Sequence, residues 1–298
     1  MTIKNNSKIC LMVSCAIMAI ALLLSIFGLG INLGIDFAGG LSMQYDMGTD
    51  FQTADVENVL SGMNVGSYTV TKQGKTEANI RIKNVSEEGV QGLQANFESA
   101  IAATYPEVKA SGDVSYVGPV AGKTLVGNAF LSVLIAAALM LIYIAFRFDL
   151  SSGLAAVFGL LHDVLIMLSF MVLLRSIIEM NSPFIAAMLT IVGYSINNTI
   201  VIFDRIRENA KKLPTTSKVE VVNISIKECL GRTINTTLTT LITIVALYIL
   251  GVDSIKEFAL PIIIGILSGV YSANMINGYV WAFLEDKLAA YKAQKAKK

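Results

Sequence analysis

Apolar residues arrive along this chain in long blocks, separated by charged or alternating stretches. Behind a short polar start carrying Lys4 and Lys8, the run from Ile9 to Ile31 is almost uninterruptedly apolar. Five further blocks follow at Leu125–Phe146, Gly153–Leu174, Phe184–Phe203, Thr233–Leu250 and Phe258–Leu284. Each is long enough to cross a hydrocarbon core of about 30 Å as a helix. The first run exceeds the roughly 7–15 apolar residues of a signal peptide. It ends in GLGINLGIDFAGG, without an A-x-A cleavage pattern. The pattern predicts an uncleaved first transmembrane helix.

Residues 32–123 are patterned differently. LSMQYD (41–46), GSYTVTKQG (66–74), TEANIRIK (76–83) and GDVSYV (112–117) alternate with period two, as strands do. Thr53–Leu60 predicts a short helix. Ser86 opens a second, with Glu87 and Glu88 in its first turn and Val90, Leu93, Phe97 and Ile101 at helical spacing. The order β-α-β-β-α-β is the ferredoxin-like pattern. The fold expected is a polytopic α-helical membrane protein with six transmembrane helices and one extracytoplasmic ferredoxin-like α+β domain. Its boundaries are residues 1–31 for the N-terminal tail and first helix, 32–123 for the domain and 124–284 for the remaining five helices. A basic cytoplasmic loop is expected at 204–231 and a basic tail at 285–298.

Composition agrees with a membrane. Hydrophobic residues make up 54% of the 298 and charged residues 15%, against about 25% charged in soluble domains; mean hydropathy is +0.63. A net charge of +1 gives no bulk attraction to nucleic acid. Cys10, Cys15 and Cys229 show neither pairing nor metal-ligand spacing, and with a single histidine no metal or cofactor is expected. Basic residues cluster between the fourth and fifth spans (Arg205, Arg207, Lys211, Lys212, Lys218, Lys227, Arg232) and after the sixth. The loops at 175–183 and 251–257 carry only Arg175 and Lys256. The positive-inside rule then puts both termini in the cytoplasm and residues 32–123 outside.

Polar residues within the spans are the candidate chemistry. His162-Asp163 falls near the middle of the third span, where a charge costs at least about 2.5–3.5 kcal/mol even on insertion scales, so it needs a partner or a watery cavity. Asp163 either carries a proton or ion there, or hydrogen-bonds as a neutral acid that holds helices together. His162 reads as a packing residue. The fourth span places Gly193, Tyr194, Ser195, Asn197, Asn198 and Thr199 in hydrocarbon. In the fifth, Arg232, Thr236, Thr239 and Thr243 share one face. That stripe lines a path, or its threonines bond back to their own helix. In the sixth, Gly265-x-x-x-Gly269 with Ser268, Ser272 and Ala273 reads as a small-residue packing face. GPVAGKT (118–124) imitates a phosphate-binding loop but has three residues between its first glycine and the Gly-Lys pair where four are needed. No nucleotide is expected.

Taken together, GIDFAGG (34–40), VGPVAGKTL (117–125), HDV (162–164), GYSINNTIVIFDRIREN (193–209) and RTINTTLTTL (232–241) resemble the SecF family of bacterial protein-export membrane subunits, within the resistance-nodulation-division superfamily. The resemblance implies a cell-membrane subunit that works with SecD and the SecYEG channel on a translocating preprotein, surrounded by membrane lipid and driven by ion flux. Its signature residues here are Gly34, Asp36, Gly39, Gly40, His162, Gly193, Asp204, Arg205, Arg207, Glu208 and Asn209. The ion-pathway candidates are Asp163, Tyr194, Asn197, Asn198, Arg232 and Thr236.

One position departs from the resemblance. Where the family signature usually has Asp in an ion relay with an Arg matching Arg232, this chain has Asn198, and an amide carries no proton. Three readings stand: coupling through Asp163 and the partner's acids, use of Na+ rather than H+, or weakened coupling. Two other function classes remain at this stage. A stand-alone exporter of small molecules or lipids usually carries two six-helix halves in one chain. An intramembrane enzyme would need an H-E-x-x-H, a protease aspartate pair or a serine beside His162, and the sequence displays none as a motif.

Overall fold

The computed structural model describes residues 3–112 and 114–295. They form two compact units. One comprises residues up to Asn32, Ser132–Ile178 and from Pro183 onward; the other comprises Leu33–Leu131 with Glu179–Ser182.

In the second unit, a one-turn helix α2 (Ile35–Ala38) leads through Gly39 and Gly40 into β1 (Gly40–Asp46). Helix α3 (Thr53–Gly62), β2 (Tyr68–Gln73), β3 (Glu77–Lys83), α4 (Glu87–Ala102), β4 (Lys109–Ala110) and β5 (Ser115–Val117) follow. The sheet order is β2-β3-β1-β4, with β5 also on β1 and every pairing antiparallel. This is the expected ferredoxin-like arrangement. The fourth strand differs in being broken into two short pieces that pair with the two ends of β1. Leu41, Met43 and Tyr45 point to one face of β1 and bury with Ala78, Ile80 and Ile82 of β3, Val56 and Leu60 of α3, and Phe97 and Ile101 of α4. The period-two alternation is therefore the cause of the two-layer core.

The turn into β1 requires glycine. Gly39 and Gly40 have φ of +78° and +155°, and a Cβ on Gly40 would lie 3.1 Å from the Lys83 Cα while overlapping the Ile82 carbonyl. Asp36 accepts the backbone N–H of Ser182 at 2.9 Å, and Gly34 N–H donates to the Met180 carbonyl at 2.8 Å. The GIDFAGG signature thus holds the segment Glu179–Ser182 against the sheet unit. Glu179 completes the hold from the open face of the sheet, its carboxylate 3.1 Å from Lys83 and 3.6 Å from Arg81. The phosphate-loop imitation is no loop at all. It is the first turn of α5 (Pro119–Arg147), where a Cβ on Gly122 would come within 2.7 Å of the Phe37 carbonyl.

The other unit is helical. It contains α1 (Ile3–Ile26), the C-terminal part of α5, α6 (Leu150–Leu173), α7 (Ser182–Lys212) from Pro183 onward, α8 (Lys218–Leu250) and a last helix. That last helix is three segments in line: α9 (Asp253–Ser272), one π-helical turn (Ala273–Asn277) and α10 (Gly278–Lys295). Among the described residues, six helices are long and apolar enough to cross a membrane, as the hydropathy pattern predicted. Asp149 caps α6 by accepting Ser152 N–H at 3.3 Å, and Ser217 caps α8 through Glu220 N–H at 3.3 Å.

Two boundaries are corrected. Residues 204–231 are not a loop: α7 continues to Lys212 and α8 begins at Lys218. The charges that mimic a loop are paired between and along these helices. Arg205 meets Glu208 at 2.5 Å and Glu228 at 2.6 Å, Lys212 meets Glu208 at 2.7 Å, and Asn209 donates to Glu228 at 2.7 Å. Asp204 pairs with Arg147 at 3.3 Å, while Arg207 is exposed. The sixth span is likewise no plain α-helix, and its π turn has no hydropathy signature.

Candidate functional site

Asp163 lies in the middle of α6 with no exposed surface, and four side chains converge on its carboxyl group. His162 Nδ1 is 3.0 Å from Oδ1, and Ser268 of α9 donates to the same oxygen at 2.7 Å. Ser195 of α7 and Ser272 of α9 both donate to Oδ2, the latter at 2.9 Å. Three hydroxyls thus donate to the two carboxyl oxygens, and the imidazole stands within hydrogen-bond reach of one of them. The helices are drawn together here by small residues. A Cβ on Gly265 would fall 2.7 Å from Ile191, and one on Gly269 would fall 3.2 Å from the Ser195 Cβ. The small-residue face of the sixth span is thus both packing surface and ligand surface.

His162 is 4% exposed, and its outer nitrogen does not end in packing. Nε2 lies 2.8 Å from the hydroxyl of Ser14 on α1, which is 1% exposed. Ser14 Oγ is in turn 3.5 Å from the Tyr271 hydroxyl, and Tyr271 donates to the Cys10 carbonyl at 2.5 Å. Ser14 was not legible as a site residue, since one serine in an apolar run normally bonds its own helix. The Ser14–His162–Asp163 order resembles a hydrolase triad in distances. Ser14 and its neighbours lie inside an α-helix whose backbone N–H groups serve the helix, so no oxyanion donor faces the hydroxyl.

A second polar cluster surrounds Asn198, which is 2% exposed. Its amide donates to Thr237 of α8 at 3.3 Å. At the next position of α7, Thr199 accepts from Asn277 at 2.9 Å, and Asn277 also closes over Gly159 of α6, where a Cβ would fall 2.6 Å from the amide carbon. Asn274 accepts from Thr233 at 3.3 Å and donates to the Val270 carbonyl at 2.7 Å. Both asparagines stand in the π turn. Such turns re-aim side chains and recur at functional sites.

The remaining candidates lie apart from these clusters. Asn197, Gly193, Arg232 and Thr236 are exposed on α7 and α8, and Tyr194 donates to the Thr236 carbonyl at 3.2 Å. The threonine stripe bonds backward: Thr236 to Arg232, Thr239 and Thr240 to Thr236, Thr243 to Thr239. The structure therefore brings Asp163 and His162 together, places Asn198 in a neighbouring buried cluster, and leaves Asn197, Arg232 and Thr236 on an open face.

A bundle of spans with a buried, hydroxyl-lined carboxyl group and a ferredoxin-like domain between its first two spans defines a membrane transport protein, not an enzyme. Residues 96–287 match the family described as protein export membrane protein SecD/SecF, C-terminal, and residues 24–50 match the SecD/SecF GG motif. The SecF translocase subunit of Endomicrobium trichonymphae is 38% identical over 83% of this chain and 79% of its own. The SecDF translocase subunit of Bacillus subtilis is 36% identical over 84% of this chain and 34% of its own. The crystal structure of SecDF from Thermus thermophilus superposes with a TM-score of 0.81 at 34% identity, covering 96% of this chain and 39% of that one. The chain belongs to the SecF translocase subunits of the SecD/SecF family, multi-pass proteins of the cell membrane.

Proposed function

We propose that this protein works with a SecD subunit to promote preprotein export at the SecYEG channel, and that it draws on an ion gradient by loading and releasing a cation at Asp163. The observation that carries the reading is the convergence of Ser195, Ser268, Ser272 and His162 on one fully buried carboxyl group. Oxygen donors of this kind suit a proton or a hard cation, and ionisable groups at membrane depth mark ion pathways. Asn198 cannot exchange a proton, so its part is to hold Thr237 and shape the path.

Partnership with SecD has its support on the open face of α7 and α8. Asn197, Arg232 and Thr236 are polar and exposed on helices that lie in the membrane, and such groups are costly against lipid. The homologous SecDF chain contains the rest of a larger protein, of which this chain matches 39%. The basic ends of α7 and α8 and the basic stretch after the sixth span favour cytoplasmic termini and an external sheet domain.

The test is export into vesicles containing the complex, under separate proton and sodium gradients, for the wild type, Asp163→Asn and Asn198→Asp. Loss of gradient stimulation in Asp163→Asn, with gain of proton dependence in Asn198→Asp, is the expected result. Gradient-driven export that is unchanged in Asp163→Asn overturns the reading.

A further inference from the structure

We propose that His162, Ser14 and Tyr271 form a proton wire that loads Asp163 from the α1 side of the bundle. This rests on Asp163 as the ion-carrying group and names the ion as a proton. Each link joins a group able to give a proton to one able to take it. Ser14 Oγ stands 3.5 Å from the Tyr271 hydroxyl, whose O–H rests on the Cys10 carbonyl; Ser14 O–H faces His162 Nε2 at 2.8 Å, and His162 Nδ1–H faces Asp163 Oδ1 at 3.0 Å. In one passage the Tyr271 O–H turns from the Cys10 carbonyl to Ser14, passes its proton there and regains one from the aqueous phase. Ser14 passes its own to Nε2, and Nδ1 releases one to the carboxylate. One proton has entered, Asp163 is neutral, and the imidazole has changed tautomer. Release of the Asp163 proton to the other side completes a transfer, and a turn of the imidazole that exchanges its two nitrogens restores the starting tautomer.

The surroundings favour a side-chain route over free water. Beside the wire, α1, α6 and α9 line a half-open cavity of about 350 Å³ whose wall is apolar except for Ser14, Ser268 and Tyr271; Ile17, Ile166 and Phe170 are among its lining. Apolar walls give water few hydrogen-bond partners, so the hydroxyls and the imidazole are the proton path. The groups that face Asp163 and His162 from the packed helices are Ser195 of α7, Ser268, Ser272 and Tyr271 of α9, and Ser14 of α1, with both the carbonyl and the thiol of Cys10 against Tyr271. His162, Tyr271 and Cys10 are the titratable members. The long link between Ser14 and Tyr271 joins two helices, so a small separation of α1 from α9 opens the wire. That gives a gate.

The experiment measures proton uptake by vesicles holding the full chain with its SecD partner, in H₂O and D₂O. His162→Gln and Ser14→Ala should each slow uptake about tenfold or more, Ser14→Thr should restore most of it, and the wild type should show a solvent isotope effect. If Asp163→Asn stops uptake while Ser14→Ala and His162→Gln leave it at the wild-type rate, the wire is wrong and the carrier stands. If Asp163→Asn also leaves uptake unchanged, both fall. The chain holds one histidine, so ¹⁵N resonance of the wild-type protein reports His162 alone and needs no variant. The imidazole should change tautomer between the unloaded and loaded protein; one tautomer in both overturns the wire.

Discussion

Ser272 donates its hydroxyl proton to Asp163 at 2.9 Å from the last α-helical position before the chain turns into a π-helix. The π turn lets one helix face present Ser268 and Ser272 to Asp163 and, beyond it, Asn274 and Asn277 to α8 and α7. Ser272→Ala leaves the carboxylate one donor short. It should cost about 1–2 kcal/mol of stability, near the upper end for interhelical hydrogen bonds because the acceptor is fully buried. Thermal unfolding in detergent measures it, and an unchanged midpoint would place the Ser272 contact outside the native energetics.

Gly159 has Asn277 where a side chain would stand. Gly159→Val should push Asn277 off Thr199, break their 2.9 Å bond and destabilise the bundle by about 1–3 kcal/mol through overpacking. The double variant Gly159→Val with Asn277→Ala should recover part of that loss. Additive losses in the two single variants would mean that the residues do not compete for the same space.

Glu179 ties the α6–α7 connection to the sheet through Lys83, Arg81 and Thr69. Glu179→Ala should loosen that connection and raise hydrogen exchange across 179–182 while leaving β1–β3 protected. Asp36→Ala should act the same way, because Asp36 holds the first N–H of α7. Exchange that stays at wild-type levels in both would show that the backbone contacts of Gly34 suffice.

Tyr45 gives a pH dependence outside the membrane. Burial and then the nearby charge of Glu98, whose carboxylate accepts the phenol at 3.1 Å, push its pKa well above the ordinary tyrosine value of 10.0. A group raised on folding stabilises below its unfolded pKa and loses that contribution as pH rises toward the folded one. The sheet unit should therefore weaken progressively above about pH 10. Tyr45→Phe should flatten that alkaline slope, as followed by circular dichroism. A slope indifferent to Tyr45→Phe would assign it elsewhere.

Much of this architecture was legible from hydropathy and period-two alternation, because lipid and a small sheet core each impose a simple pattern on side chains. Asp163 announced itself by cost alone. What stayed hidden depended on helix rotation and long-range pairing. Ser14 is one hydroxyl among apolar residues, and only the packing of α1 on α6 aims it at His162. Ser268 and Ser272 read as small spacers because their size suits close packing and their hydroxyls carry no periodic signal. The charged run after Phe203 suggested a loop, whereas Arg205, Glu208 and Glu228 pair within and between helices. The threonine stripe was visible, yet its hydroxyls serve their own backbone.

The central claim is that the Asp163 carboxyl group changes state as the ion gradient is applied. Infrared difference spectra of the complex in vesicles, recorded with and without a gradient, measure this directly. The account predicts a carboxyl band that shifts on energisation and is lost in Asp163→Asn. A difference spectrum without a carboxyl change, or with one that survives in Asp163→Asn, would contradict it.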